Sequence, residues 1–173
     1  FGQYEGYLNE KWVSEKSRTE TFVALKVHTE NGIFAWVPIY IRTGKYMSKK
    51  STRIVIEFKE VPEMLVKKYG HVERNRIIIE VQPNESIDVH FNTRQSGELW
   101  EIKRVSSKFT SETESKEAYQ KLLEDTIIGD KTLFTSWEML EETWRIVDDL
   151  VHCELNCPII YPYPKGTDGP EIN

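Results

Sequence analysis

The sequence predicts an α+β fold: a large, mostly antiparallel sheet with helices on one face, the other face left to pair with a partner subunit. Two observations carry this. Apolar residues recur with a period of two over the first two-thirds of the chain and at steps of three and four over the last third. Turn residues, not long helical stretches, separate the extended segments, so neighbouring strands run antiparallel.

The clearest strands are Arg53 to Lys59 and Ser86 to Phe91. In the first, Ile54, Ile56 and Phe58 share one face opposite Arg53, Glu57 and Lys59, with Val55 breaking the pattern. In the second, Ile87, Val89 and Phe91 oppose Ser86, Asp88 and His90. Such alternation marks a half-buried strand. Phe22 to His28, Phe34 to Thr43, Arg76 to Gln82 and Leu99 to Val105 are further strands, punctuated by Asn31-Gly32, Pro83-Asn84 and Ser96-Gly97. Asn31-Gly32 between two apolar runs predicts a hairpin.

Ala118, Tyr119, Leu122, Leu123, Thr126 and Ile127 recur at helical spacing, and Gly129 stops that helix. A second helix follows Ser136, a good N-cap with Glu138 in the first turn. Its stripe of Trp137, Leu140, Trp144, Val147 and Val151 is expected to pack against a sheet. After Pro158 the Pro- and Tyr-rich chain reads as irregular.

Composition narrows the function. The 173 residues, 39% hydrophobic and 29% charged, suit a soluble domain with its own core. A net charge of -5 disfavours nucleic-acid binding, and no apolar run is long enough to span a membrane. Two cysteines form no disulfide framework, which suits a reducing cytoplasm. Cys153 and Cys157 with His152 offer three possible metal ligands, but no second ligand pair accompanies them, and ordinary thiols are the plainer reading. The start has no signal-peptide pattern and no Met, as expected of a segment of something longer.

Several catalytic signatures are missing: no G-x-G-x-x-G, no P-loop, no G-x-S-x-G and no H-E-x-x-H. The four histidines, His28, His71, His90 and His152, read as surface or satisfied residues, not bases. One feature stands out on this acidic chain. No acidic residue occurs from Asn31 through Ile56, a window holding Arg42, Lys45, Lys49, Lys50 and Arg53. It opens where an apolar strand ends, at Ile41-Arg42-Thr43-Gly44-Lys45. Gly44 permits a sharp turn or a close approach to a ligand, and a lysine just beyond is a compact charge suited to a phosphate oxygen. A solvated basic loop is the plainer alternative. Gln82, at a strand end before Pro83, carries an amide able to hydrogen-bond a sugar hydroxyl.

Seven ordered segments resemble the glucose-6-phosphate dehydrogenase family. They are Gly2-Gln3-Tyr4, the strand from Thr19 to Val27, WVPIYIRTGK from Trp36 to Lys45, NRIIIEVQPNE from Asn75 to Glu85, AYQKLLEDTIIGDKTLF from Ala118 to Phe134, WRIVDDL from Trp144 to Leu150, and YPKGTDGP from Tyr163 to Pro170. The resemblance implies that residues 1–173 are the C-terminal, substrate-binding and dimer-forming domain, part of an enzyme transferring hydride from C1 of glucose 6-phosphate to NADP or NAD. The cofactor-binding domain and the catalytic histidine would precede it, so no catalytic residue is expected here and the fragment alone should be inactive. By resemblance Lys45 and Lys50 bind the substrate, Gln82 contacts it, and Arg42 and Gly44 support the loop. Homodimerisation through the sheet is likewise implied.

Departures from the family pattern matter too. Trp36 stands where a glycine is usual before Val37-Pro38, and Lys50 where some members have arginine. Some members bind a second, structural NADP; at the matching positions this chain has Ser51, Val55 and Glu80. A carboxylate facing a phosphate is unfavourable, so no structural NADP is expected; no metal is expected either. A non-catalytic sugar-phosphate-binding or dimerisation module is the alternative reading.

Overall fold

In the computed structural model, described over residues 1–30, 32–60, 62–64, 72–95, 101–110, 118–156 and 159–171, the strands divide between two four-stranded sheets. The chain forms two units, one of Phe1–Lys49 with Glu124–Asn173 and one of Lys50–Leu123. Each contains one sheet. The α+β class is as expected; the single large sheet is replaced by two smaller ones.

The first unit contains β1 (Gly2–Tyr4), β2 (Phe22–Val27), β3 (Ile39–Gly44) and β8 (Tyr161–Tyr163), in the order β3-β2-β1-β8. β2 and β3 pair antiparallel with Val27 opposite Ile39. Their connection therefore runs from 28 to 38, wider than a two-residue hairpin. Gly32 there adopts a left-handed φ of 81°, while Asn31 lies outside the described residues. β3 starts at Ile39, not Phe34, because Trp36 turns into the left-handed region at φ 64° and Pro38 has no amide for a ladder.

β8 corrects the expectation of an irregular end. Tyr161–Tyr163 runs parallel to β1, with Gly2 opposite Tyr161 and Tyr4 opposite Tyr163. A three-residue strand containing proline has too few residues for a period to show. It nevertheless supplies the centre of the core: Tyr163 is wholly buried, together with Tyr4 and Phe22. Phe22 and Tyr163 pack with ring centroids 5.6 Å apart.

The second unit contains β4 (Thr52–Glu57), β5 (Arg76–Gln82), β6 (Ser86–Gln95) and β7 (Glu101–Thr110), an antiparallel meander in chain order. Register places Ile54, Ile79, Ile87 and Phe109 in one row, and Ile56, Ile77 and Val89 with Ser107 in another. Both rows lie on one face, since every second residue along a strand does. The opposite face is more polar, with Asp88 and Lys108 3.8 Å apart in a row that begins with Val55 and Ile78, and Arg76 between Glu57 and His90 in register. The turn from Ser96 to Gly97 lies outside the described residues, as do His71 and Cys157.

The helices are α1 (Ala118–Ile128) and α2 (Trp137–Asn156). Gly129 ends α1 at φ 75°, with the Asp130 amide donating to the Asp125 carbonyl. Ser136 caps α2, its hydroxyl accepting from the Met139 amide at 3.2 Å. Hydrogen bonds from Glu138's own amide and from Ser136 hold the Glu138 carboxyl below its ordinary range. The stripe of α2, expected to pack against a sheet, is instead exposed, Trp137 at 73% and Trp144 at 58%. Helical period identifies the face that gains from cover; it does not provide the surface that covers it. No described helix is long and apolar enough to cross a membrane.

Candidate functional site: a lysine turn at the end of β3

Each predicted site residue has a definite place. Lys45 follows β3 directly, in the first unit. Its amide donates to the Thr21 carbonyl at 2.8 Å, and its carbonyl accepts from the Tyr163 hydroxyl at 2.8 Å. The side chain is exposed, and among the described residues its ammonium has no hydrogen-bond or ion-pair partner. A charge held on a fixed backbone and left unneutralised is available to an anion.

Gly44 serves packing, not a turn of its own. A Cβ there would lie 2.8 Å from both the Phe22 ring and the Met47 sulfur. Phe22 thus sets the approach of β3 to the core just before Lys45. Gly169 meets the same ring from the chain's other end: a Cβ would come within 2.4 Å of it, at a φ of 108°. Arg42 reaches that segment too, donating to the Asp168 carbonyl at 3.2 Å with its carboxylate 3.9 Å away.

The second unit holds Lys50 and Gln82. Thr52 pairs with Gln82, so Lys50, two residues before β4, and Gln82, closing β5, share one end of that sheet. Both side chains are exposed. Arg53 stands opposite Glu80 in the same ladder. Of the described histidines, His28 is exposed beyond β2, His90 stands opposite Arg76 in β6, and His152 bonds the Asp148 carbonyl one turn back along α2. Among the described residues, no group of three His, Cys, Asp or Glu is placed to hold a metal ion.

Sequence reading missed the tyrosine cluster beneath the lysine turn. Tyr4 touches Tyr7, Tyr46 and Tyr163 edge-on, at centroid distances of 5.4, 4.8 and 6.4 Å. Burial, then the charge of Glu10, pushes the Tyr4 hydroxyl above its ordinary pKa. Lys165 lies over the rings of Tyr4 and Tyr46 at 4.8 and 4.3 Å and pairs with Glu10 at 3.3 Å. Eight tyrosines in one chain was the available signal, but it does not say which of them meet.

Two mostly antiparallel sheets and two helices, with a basic turn at a strand end, define an α+β domain, not a nucleotide-binding α/β fold. Over residues 1–173 the chain matches the family model described as glucose-6-phosphate dehydrogenase, C-terminal domain, and it belongs to that family. It is 36% identical over 170 residues to the glucose-6-phosphate 1-dehydrogenase of Aggregatibacter actinomycetemcomitans, covering 96% of this chain and 34% of that protein. The counterpart from Mycolicibacterium smegmatis is 38% identical over 172 residues, covering 95% and 34%. A crystal structure of the Mycobacterium avium enzyme superposes with a TM-score of 0.78 at 33% identity, over 98% of this chain and 36% of that one. A structure described as glucose-6-phosphate dehydrogenase in complex with its substrate glucose-6-phosphate superposes with a TM-score of 0.85 at 26% identity, over 99% and 37%. The chain spans about a third of the length of these relatives.

Proposed function

We propose that this chain is the substrate-side, C-terminal domain of an oxidoreductase that moves hydride from C1 of glucose 6-phosphate to NADP or NAD, giving 6-phosphogluconolactone. The observation that carries the reading is Lys45: in the family's most specific motif, it has a fastened backbone and an ammonium with no partner among the described residues. In this reading Lys45 and Lys50 neutralise and orient the sugar phosphate or its hydroxyls, and Gln82 hydrogen-bonds the sugar. Arg42 and Gly44 support the lysine turn. What they contribute is position, holding C1 in line for hydride transfer. The cofactor and the catalytic base would be held by residues outside this chain.

A homodimer through a sheet belongs to the same proposal. The apolar face of β4 to β7 supports it: Ile54, Ile56, Ile87, Phe91, Val105 and Phe109 are all more than 40% exposed. We also propose no structural NADP, since Glu80 occupies a matching position and faces Arg53 in register, and a cytoplasmic setting. The alternative is a non-catalytic sugar-phosphate-binding or dimerisation module, a role the same exposed apolar face would also serve.

Steady-state turnover of glucose 6-phosphate with NADP and with NAD, for the full-length gene product beside this chain alone, tests the proposal. Cofactor reduction by the longer protein only is expected. Binding of the sugar phosphate without reduction by either would favour the module.

A further inference from the structure

The segment after β8 does more for the Lys45 turn than complete a sheet. The Tyr163 hydroxyl lies 2.8 Å from the Lys45 carbonyl and 3.1 Å from the Thr21 carbonyl. It has one proton to give, and the shorter contact is to Lys45. Thr21's own hydroxyl, 3.1 Å away, is placed to donate to the same tyrosine oxygen. Further along, the Gly166 amide donates to the Tyr46 carbonyl at 2.8 Å, and the Ser48 amide donates to the Thr167 carbonyl at 2.9 Å. The Ser48 hydroxyl donates to the Asp168 carboxylate, and Arg42 donates to the Asp168 carbonyl. Residues 163 to 168 thus take up main-chain groups of residues 45, 46 and 48 and side chains of residues 42 and 48.

These contacts are unequal. Arg42 and Asp168 are 45% and 63% exposed, and such a pair contributes little in water. Tyr163 is 0% exposed, so its hydrogen bond is made without competition from solvent. It acts on the backbone of the very residue whose ammonium the proposed function requires. A lysine stem is flexible, so the reach of its charge depends on where its Cα is held, and a small misplacement costs binding.

We propose that Tyr163, seconded by Asp168, is a positioning residue for the substrate lysine: it holds the Lys45 backbone so that the ammonium meets the sugar phosphate without a further ordering cost. This rests on the proposed substrate role of Lys45. Neither residue touches substrate in this scheme; both act through Lys45.

The test is a double-mutant cycle in the full-length gene product, with Tyr163→Phe, Asp168→Asn and Lys45→Ala, singly and combined. Tyr163→Phe keeps the ring and removes the hydroxyl. It is expected to raise the KM for glucose 6-phosphate about three- to tenfold, the range a lost hydrogen bond gives. The KM for NADP should stay within about twofold, and Asp168→Asn should raise the sugar-phosphate KM only about twofold. In the Lys45→Ala background, Tyr163→Phe should add nothing, because the group it positions has gone. If Tyr163→Phe leaves KM unchanged, or raises it equally with and without Lys45, the positioning role is overturned while the reading of Lys45 stands. If Lys45→Ala itself leaves the sugar-phosphate KM unchanged, the proposed function fails and the positioning role with it. Should Tyr163→Phe fail to fold, the Asp168→Asn cycle decides by the same criterion.

Discussion

The two sheets of this chain use their apolar residues in opposite ways. The first is irregular in sequence, yet it closes around Tyr4, Phe22 and Tyr163. The second has the cleaner alternation, yet its apolar rows stay open, with Phe109 59% exposed. Regular patterning therefore reports that a face wants cover, not that the chain supplies it. The irregular sheet is the one that buries its aromatics, because a core of three rings needs particular shapes at particular places more than it needs a period.

The sharpest way to break this contrast is at the enclosed end. Tyr163→Ala should cost the first unit about 3–5 kcal/mol, as loss of a fully buried aromatic does. Denaturant unfolding followed by tyrosine and tryptophan fluorescence would show it, and a shift under about 1 kcal/mol would mean that the three rings are not the core. A smaller effect of opposite sign is expected on the β2–β3 connection. Trp36, 73% exposed with φ 64°, occupies a conformation that suits glycine. Trp36→Gly should stabilise the chain by about 0.5–1 kcal/mol, left-handed strain outweighing the added freedom of the unfolded chain. A lower unfolding midpoint would show that the indole makes contacts worth more than the strain. The smallest folding effect belongs to the open face, where Phe109→Ser should change stability by less than about 0.5 kcal/mol. In the full-length gene product the same change should lower the dimer fraction seen by light scattering after gel filtration. A dimer untouched by it would place the subunit contact elsewhere.

Much of the fold was legible. β5 matches its predicted limits, and β4 and β6 begin within a residue of theirs, because period-two alternation survives wherever one face is apolar. Ser136 and Gly129 cap the helices as their chemistry requires. β1 and β8 were not legible as strands, since three residues cannot display a period. The core was misplaced for a related reason. The stripe of Trp137 and Trp144 is regular without cover, whereas Tyr4, Phe22 and Tyr163 meet although the first and last are 159 residues apart in sequence. Lys45, Lys50 and Gln82 are proposed as site residues from charge and motif, which are local properties of a sequence. The hydroxyl of Tyr163 beneath Lys45 could not be read that way, because it acts at a separation of 118 residues.

The parallel pairing of β8 with β1 also sets an order of events during synthesis. Tyr163 leaves the ribosome 142 residues after Thr21, its hydrogen-bond partner, a delay of roughly 10 s at ordinary elongation rates. All of Lys50–Leu123 is made in that interval. The second sheet, whose strands pair with their chain neighbours, can form as it emerges, while the first waits with Phe22 uncovered until its last strand arrives. A nascent chain halted before Tyr161 would therefore carry a finished meander and an unfinished lysine turn.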